Sequence, residues 1–230
     1  MEFKGVLFDK DGTLFDFQRT WNRWSVQMIE HFSAGDLKQK RAIAGAVGYD
    51  LDHQEFYPDS VVIAGTNRQV ADCVAAVVPA KSVEEVEEFL MQSSLTMSVS
   101  EATPLIPFFQ RLKAHGLKLG VMTNDTESGA RAHLASVDAL DLLDFVAGFD
   151  SGFGAKPAPG PLLAFATAME LSPDQVAMVG DSTHDLIAGR AAAMHTIGVL
   201  TGLARRSELA PYADTILPDI SHIPAHLGLS

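Results

Sequence analysis

Four short stretches of the chain carry side chains that could do chemistry on an anionic substrate. In the first, Asp9 and Asp11 follow the apolar run Val6-Leu7-Phe8, with Lys10 between them and Gly12-Thr13 after. Side chains alternate along a strand, so both carboxylates are expected on one side and Lys10 on the other. Converging carboxylates can serve as nucleophile, acid–base group or cation ligand; the competing reading is an acidic surface turn, since loops collect Asp and Gly. In the second stretch, Thr123 and Asn124 follow Val121-Met122, which offers a hydroxyl and backbone N–H groups to an anion, or a plain helix cap. The third places Lys156 between Gly154-Ala155 and Pro157, as a positive charge for the site or a solvated loop residue. In the fourth, Asp181 ends a strand-like run and Asp185 falls in the first turn of the next helix. An acid-rich helix start is the alternative there.

These residues can cooperate only if strands deliver them to one edge. Residues 16–99 read as helical throughout. Trp21, Trp24, Met28, Ile29 and Phe32 recur at spacings of three and four, the stripe of an amphipathic helix. A second helix is predicted over Leu37–Val47, a loop of turn residues over 48–60, a helix capped by Thr66 or Asn67, and another opened by Ser82. From Pro104, helices and strands alternate. Strands are predicted over 117–122, 145–149, 176–179, 196–199 and 215–217, and the tail from Ser221 is expected to be loosely held. One strand, a helical insertion, then repeated β–α units predict an α/β fold with a mostly parallel sheet, helices on both faces and the first strand central. The expected domains are an α/β core of residues 1–15 and 100–230 and an inserted helical domain of 16–99, placed to act as a lid.

Taken together, Phe8-Asp9-Lys10-Asp11-Gly12-Thr13-Leu14, Val121-Met122-Thr123-Asn124, Lys156-Pro157 and Gly180-Asp181-Ser182-Thr183-His184-Asp185 resemble the ordered motifs of the haloacid-dehalogenase-like (HAD) superfamily of phosphohydrolases. The helical segment, and Gly198-Val199-Leu200-Thr201-Gly202, resemble its phosphoglycolate-phosphatase-like branch. The resemblance implies a Rossmann-like core with a helical cap, and a phosphatase acting on a small phosphorylated metabolite. It implies Asp9 as the nucleophile that forms an aspartyl-phosphate and Asp11 as general acid and base. Thr123 and backbone N–H groups near Asn124 would hold the phosphoryl oxygens, and Lys156 would offset negative charge. Mg²⁺ would be held by Asp9, the Asp11 carbonyl and Asp181, with Asp185 in support. Many relatives carry serine after the aspartate that matches Asp16. Phe17 here makes that position more apolar.

The chain's 17 basic and 29 acidic residues give a net charge of −12, which opposes nucleic acid and anionic membrane as partners. The lone Cys73 excludes an internal disulfide and is expected to be a buried, inert thiol. With no signal-peptide pattern at the start, a cytoplasmic monomer or homodimer is expected. Trp21 and Trp24 read as packing residues, Arg23, Arg41 and Arg68 as solvated or as grips for a substrate carboxylate, and His184 as a helix-surface residue. A dehalogenase would need neither Asp11 nor Asp181; a sugar-phosphate mutase and a non-catalytic binding module of the same fold remain alternatives.

Overall fold

A computed structural model of the chain describes residues 3–229. They divide into two compact units: one runs to Phe17 and resumes at Val99, and the other is Gln18–Ser98. The first strand, β1 (Gly5–Phe8), is buried at every position. α1 (Phe17–Ser33) then leads into the helical unit. α2 (Leu37–Val47) starts at Asp36, whose carboxylate accepts from the Gln39 N–H, and stops at Gly48 with φ 71°. β2 (Tyr49–Asp50) and β3 (Glu55–Phe56) pair antiparallel in the stretch read as loop. Strands of two residues are too short to show any periodicity in sequence. After α3 (Val61–Ala64) come α4 (Asn67–Val77) and α5 (Val83–Leu95), opened by reciprocal capping boxes at Thr66 and Ser82. Trp21, Trp24, Met28, Ile43, Val74 and Leu90 are buried within this unit's helices. Cys73 is half-buried, not fully buried, because its face of α4 looks partly outward.

In the other unit, α6 (Leu105–Ala114) precedes β4 (Lys118–Met122), α7 (Glu127–Ser136), β5 (Phe145–Ala147), α8 (Gly160–Ala168), β6 (Val176–Gly180), α9 (Thr183–Ala191), β7 (His195–Val199), α10 (Arg206–Leu209), β8 (Thr215–Leu217) and α11 (Ile223–His226). The strands form one parallel sheet in the order β5-β4-β1-β6-β7-β8. Alternation sorts its side chains between two cores. Val6, Phe8, Leu119, Val121 and Val179 pack with Phe109 of α6 and Leu134 of α7. Leu7, Met122 and Met178 pack with Phe165 of α8 and Ala188 of α9. Burying both faces explains why these strands read as unbroken apolar runs.

β1 is central, with Phe8 level with Val121 on one side and Val179 on the other. The chain winds outward from β1 in both directions, so the carboxyl ends of β1, β4 and β6 meet where ligands bind in open α/β sheets. The tail is held: Ile220 and Ile223 are fully buried, and the Arg111 guanidinium donates to the Leu229 carbonyl at 3.0 Å. Its isolated apolar residues gave no periodic signal. Among the described residues, no helix is long and apolar enough to cross a membrane.

Candidate active site

Each of the three central strands delivers a carboxylate or hydroxyl to the same edge. β1 ends at Phe8 and Asp9 follows, its N–H donating to the Val179 carbonyl at 2.8 Å, so the sheet itself fixes this residue. Asp181 directly follows β6 and Thr123 directly follows β4. Asp9, Thr123, Lys156, Asp181 and Asp185 are all buried, none more than 7% exposed.

Lys156 sits at the centre of the charges. Its ammonium donates to Asp9 Oδ1 at 2.5 Å and to the Met122 carbonyl at 2.9 Å, and lies 2.7 Å from Asp185 Oδ1. The backbone that carries it is clamped by one side chain. Asn124 Nδ2 donates to the Lys156 carbonyl at 3.0 Å, and the Lys156 N–H donates to Asn124 Oδ1 at 2.9 Å. The Asn124 amide thus ties the backbone of the Lys156 loop to the end of β4. Thr123 Oγ1 accepts from the Asp125 N–H at 3.1 Å, which leaves the hydroxyl proton to donate. Asp185 is held from the start of α9, where Ser182 N and Oγ donate to its Oδ2 at 3.0 and 2.7 Å.

Asp181 is enclosed by close backbone. Gly12 has φ +84°, and a Cβ there would stand 2.3 Å from Asp181 Oδ2; one on Gly202 would stand at 1.7 Å. Thr13 Oγ1 donates to Asp181 Oδ1 at 3.3 Å, and Thr201 Oγ1 donates to the Gly12 carbonyl at 2.6 Å. Glycine is required at both positions because any larger residue would displace the carboxylate. The Gly198–Gly202 run was visible in sequence, but its grip on Asp181 was not.

β1 ends at Phe8, and beyond it Asp9 and Lys10 reach different partners, while Asp11 turns one oxygen toward Lys10. Lys10 is fully buried, and its ammonium meets Asp11 Oδ2 at 3.0 Å, Asp125 Oδ2 at 2.8 Å and His133 Nδ1 at 2.8 Å. Lys10, Asp125 and His133 were not singled out in sequence. His133 is on α7, and nothing local distinguishes it from any helical histidine.

The charges are unbalanced. Burial, helped by the negative charges of Asp185 and Asp11, outweighs Lys156 and lifts the Asp9 carboxyl from 3.8 to about 7. Burial, with Asp9 and Asp185 adding to it, also holds the Asp181 carboxyl well above its ordinary range. Burial disfavours the Lys156 ammonium, but Asp185 and Asp9 more than offset it and keep it protonated. One carboxylate oxygen from each of Asp9, Asp181 and Asp185 lies within 4.8 Å of the others. Three carboxylates against one ammonium form an all-oxygen donor set with surplus negative charge, which fits a hard divalent cation.

Of the other residues noted in sequence, Phe17, Trp21 and Trp24 are buried, and the Trp24 indole donates to Ser93 Oγ at 2.9 Å. Arg68 pairs with Glu84 at 3.1 Å and Glu87 at 3.0 Å. Arg23 and Arg41 are exposed, and His184 is half-buried.

The chain matches the family of haloacid dehalogenase-like hydrolases over residues 6–199. It is 26% identical to the pyrophosphatase PpaX of Anoxybacillus flavithermus, covering 100% of this chain and 99% of that protein. It is 28% identical to a phosphoglycolate phosphatase of Aquifex aeolicus, covering 90% of this chain and 89% of the other. Among solved structures, CbbY from Rhodobacter sphaeroides in complex with phosphate aligns with a TM-score of 0.69 at 18% identity, covering 99% of this chain and 100% of that one. A HAD phosphatase from Thermococcus onnurineus aligns with a TM-score of 0.67 at 22% identity, covering 98% of each chain. At these identities the structures establish a shared fold.

Proposed function

Because the chain belongs to the haloacid dehalogenase-like hydrolase family, we propose that it is a phosphatase, hydrolysing phosphate monoesters of small metabolites through a covalent intermediate on Asp9. The observation that carries this reading is the Asp9 carboxylate, buried at the end of β1 and 2.5 Å from the Lys156 ammonium. Asp9 attacks phosphorus, and the ester P–O bond breaks as its oxygen takes a proton from the Asp11 carboxyl. The Asp11 carboxylate then takes a proton from water as that water attacks the aspartyl-phosphate, which frees inorganic phosphate and restores Asp9. The Thr123 hydroxyl and the backbone at Asn124 hold the phosphoryl oxygens. Lys156 offsets the charge that Asp9 and phosphate bring together, and Asp185 keeps Lys156 in place. Asp9, Asp181 and the Asp11 carbonyl would hold Mg²⁺, which when bound supplies charge neutralisation and orientation of the phosphoryl group.

The helical unit is inserted into the chain soon after Asp9–Thr13, and on that connectivity it serves as a cap that selects the leaving group and limits water. The net charge of −12 supports small soluble substrates in the cytoplasm over polyanionic polymers, with the protein working as a monomer or homodimer. The Aquifex aeolicus relative favours 2-phosphoglycolate. The buried Phe17, Trp21 and Trp24 rings offer little support for an aryl group. A second reading is pyrophosphate hydrolysis, favoured by the full-length likeness to the Anoxybacillus flavithermus pyrophosphatase.

Phosphate release from 2-phosphoglycolate, pyrophosphate, sugar phosphates, nucleotides and p-nitrophenyl phosphate, with Mg²⁺ and with excess chelator, tests these readings. The expected result is Mg²⁺-dependent turnover with the highest kcat/KM on 2-phosphoglycolate. Pyrophosphate in first place selects the second reading. No release from any of the panel sinks the phosphatase.

A further inference from the structure

The catalytic reading leaves one buried charge cluster unused. The fully buried Lys10 ammonium stands between the loop after β1 and the start of α7, with three acceptors within 3.0 Å, one for each N–H: Asp11 Oδ2, Asp125 Oδ2 and His133 Nδ1. An ammonium has no lone pair, so His133 Nδ1 is the acceptor in this contact. The partners are themselves fixed. Asp125 Oδ1 accepts from the Thr126 N–H at 2.7 Å, and Thr126 Oγ1 caps α7 by accepting from Gly129 N at 3.0 Å. The Asp125 N–H in turn donates to Thr123 Oγ1 at 3.1 Å. A continuous chain of contacts therefore runs from Thr123 through Asp125 and Lys10 to the Asp11 carboxylate. Asp11, by contrast, lies outside any regular element, in an isolated bridge with Phe15 that brackets the turn of residues 12–14; the bridge holds its backbone but not its two χ angles.

We propose that Lys10, locked by Asp125 and His133, is a positioning residue that fixes the Asp11 carboxylate in its acid–base orientation, with Oδ2 held on the ammonium and Oδ1 carrying the transferable proton. This rests on the role proposed above for Asp11. The O–H bond on Oδ1 breaks as the leaving oxygen gains its proton, and the same oxygen later receives one from water. Lys10 exchanges no proton in either step. It removes the rotational freedom that would otherwise misplace the acid.

Leaving-group dependence separates this role from a structural one. Protonation matters for a basic alkoxide and hardly at all for p-nitrophenolate, whereas a distorted site slows both. The experiment measures kcat/KM for 2-phosphoglycolate, phenyl phosphate and p-nitrophenyl phosphate with Mg²⁺. It compares wild type, Lys10→Met, the paired variant Lys10→Met/Asp125→Asn, in which no buried aspartate is left facing an uncharged residue at position 10, and Asp11→Asn. Positioning is expected to be worth roughly ten- to a hundredfold on the alkyl ester, a share of the 10²–10⁴ that acid–base catalysis contributes, with a loss of only a fewfold on p-nitrophenyl phosphate. The paired variant shows the same selectivity if Lys10→Met alone proves too unstable to assay. Equal losses on all three esters, or no loss, overturn the proposal. If Asp11→Asn itself shows no selectivity for the poor leaving group, the acid–base reading of Asp11 has failed and this proposal goes with it. Selectivity in Asp11→Asn without selectivity in either Lys10 variant rejects Lys10 alone.

Discussion

Two buried lysines meet the loop after β1, and their surroundings are balanced in opposite ways. Around Lys10, each ammonium N–H has an acceptor. Although burial opposes ionisation of Asp125, the Lys10 charge outweighs it and holds that carboxyl below its usual range. Around Lys156, three carboxylates compete for one ammonium, and two of them, Asp9 and Asp181, are pushed above their usual range chiefly by burial. Lys10 sits in a closed network of the kind that specifies one arrangement of a core. Lys156 sits in an open one, strained until something positive completes it. Breaking a satisfied buried pair should therefore cost stability, whereas removing a charge from the strained cluster should cost activity and little else.

The largest expected effect follows from the strained side. Asp9→Asn is expected to lower turnover by roughly four orders of magnitude or more, the scale on which loss of a placed nucleophile is felt. The folded state is expected to survive, with a melting temperature in chelator no lower than that of wild type, because one competing charge has gone. Steady-state kinetics and a thermal melt on the same preparation check both halves. Substantial activity in Asp9→Asn would remove the nucleophile, and a large fall in Tm would show that the cluster is not strained at all.

Asp125→Asn examines the closed network. It strips the fully buried Lys10 of a full charge partner, a change that costs about 3–5 kcal/mol in buried pairs and a Tm fall of roughly 10 °C for a chain this size. A loss under about 1 kcal/mol, the scale of a surface pair, would mean that His133 and Asp11 satisfy Lys10 without it.

The contrast also marks what sequence could reveal. Lys156, in the loop between β5 and α8, was legible only through its Lys-Pro motif. Asp9, Thr123 and Asp181 each stand just after a strand and Asp185 in the first turn of a helix, so apolar runs located them without knowledge of the fold. The parallel sheet was legible for the same reason: strands buried on both faces announce themselves as Val-, Leu- and Met-rich runs. Alternation put Lys10 opposite Asp9, but it could not name the partners that Lys10 meets there. Asp125 and His133 lie 115 and 123 residues from Lys10, and no local pattern encodes a pairing at that distance. The β2–β3 hairpin and the packed tail escaped for a different reason, being too short for any period to appear.

The smallest expected effect is a pH dependence, and its sign distinguishes the two lysines. Asp9 is raised from 3.8 to about 7 in the folded protein. Between those values the folded state keeps a proton that the unfolded chain has lost, so raising the pH favours unfolding. In chelator, the Asp9 contribution should therefore lower stability as pH climbs from about 4 to 7, by a few kcal/mol at most. Asp125 acts in the opposite direction. Its carboxyl is held below 3.8, so its stabilisation is present above that value and fades only as pH falls further. The two windows do not overlap, which allows the Asp9 part to be isolated as the difference between wild type and Asp9→Asn. Melting temperatures of both proteins across pH 4–7 should diverge steadily, wild type falling relative to the variant. Millimolar Mg²⁺ should close most of that gap by favouring the ionised carboxylate in the folded state. If the two curves run parallel in chelator, Asp9 carries no strain. If Mg²⁺ leaves the gap unchanged, the three-carboxylate cluster does not hold the cation.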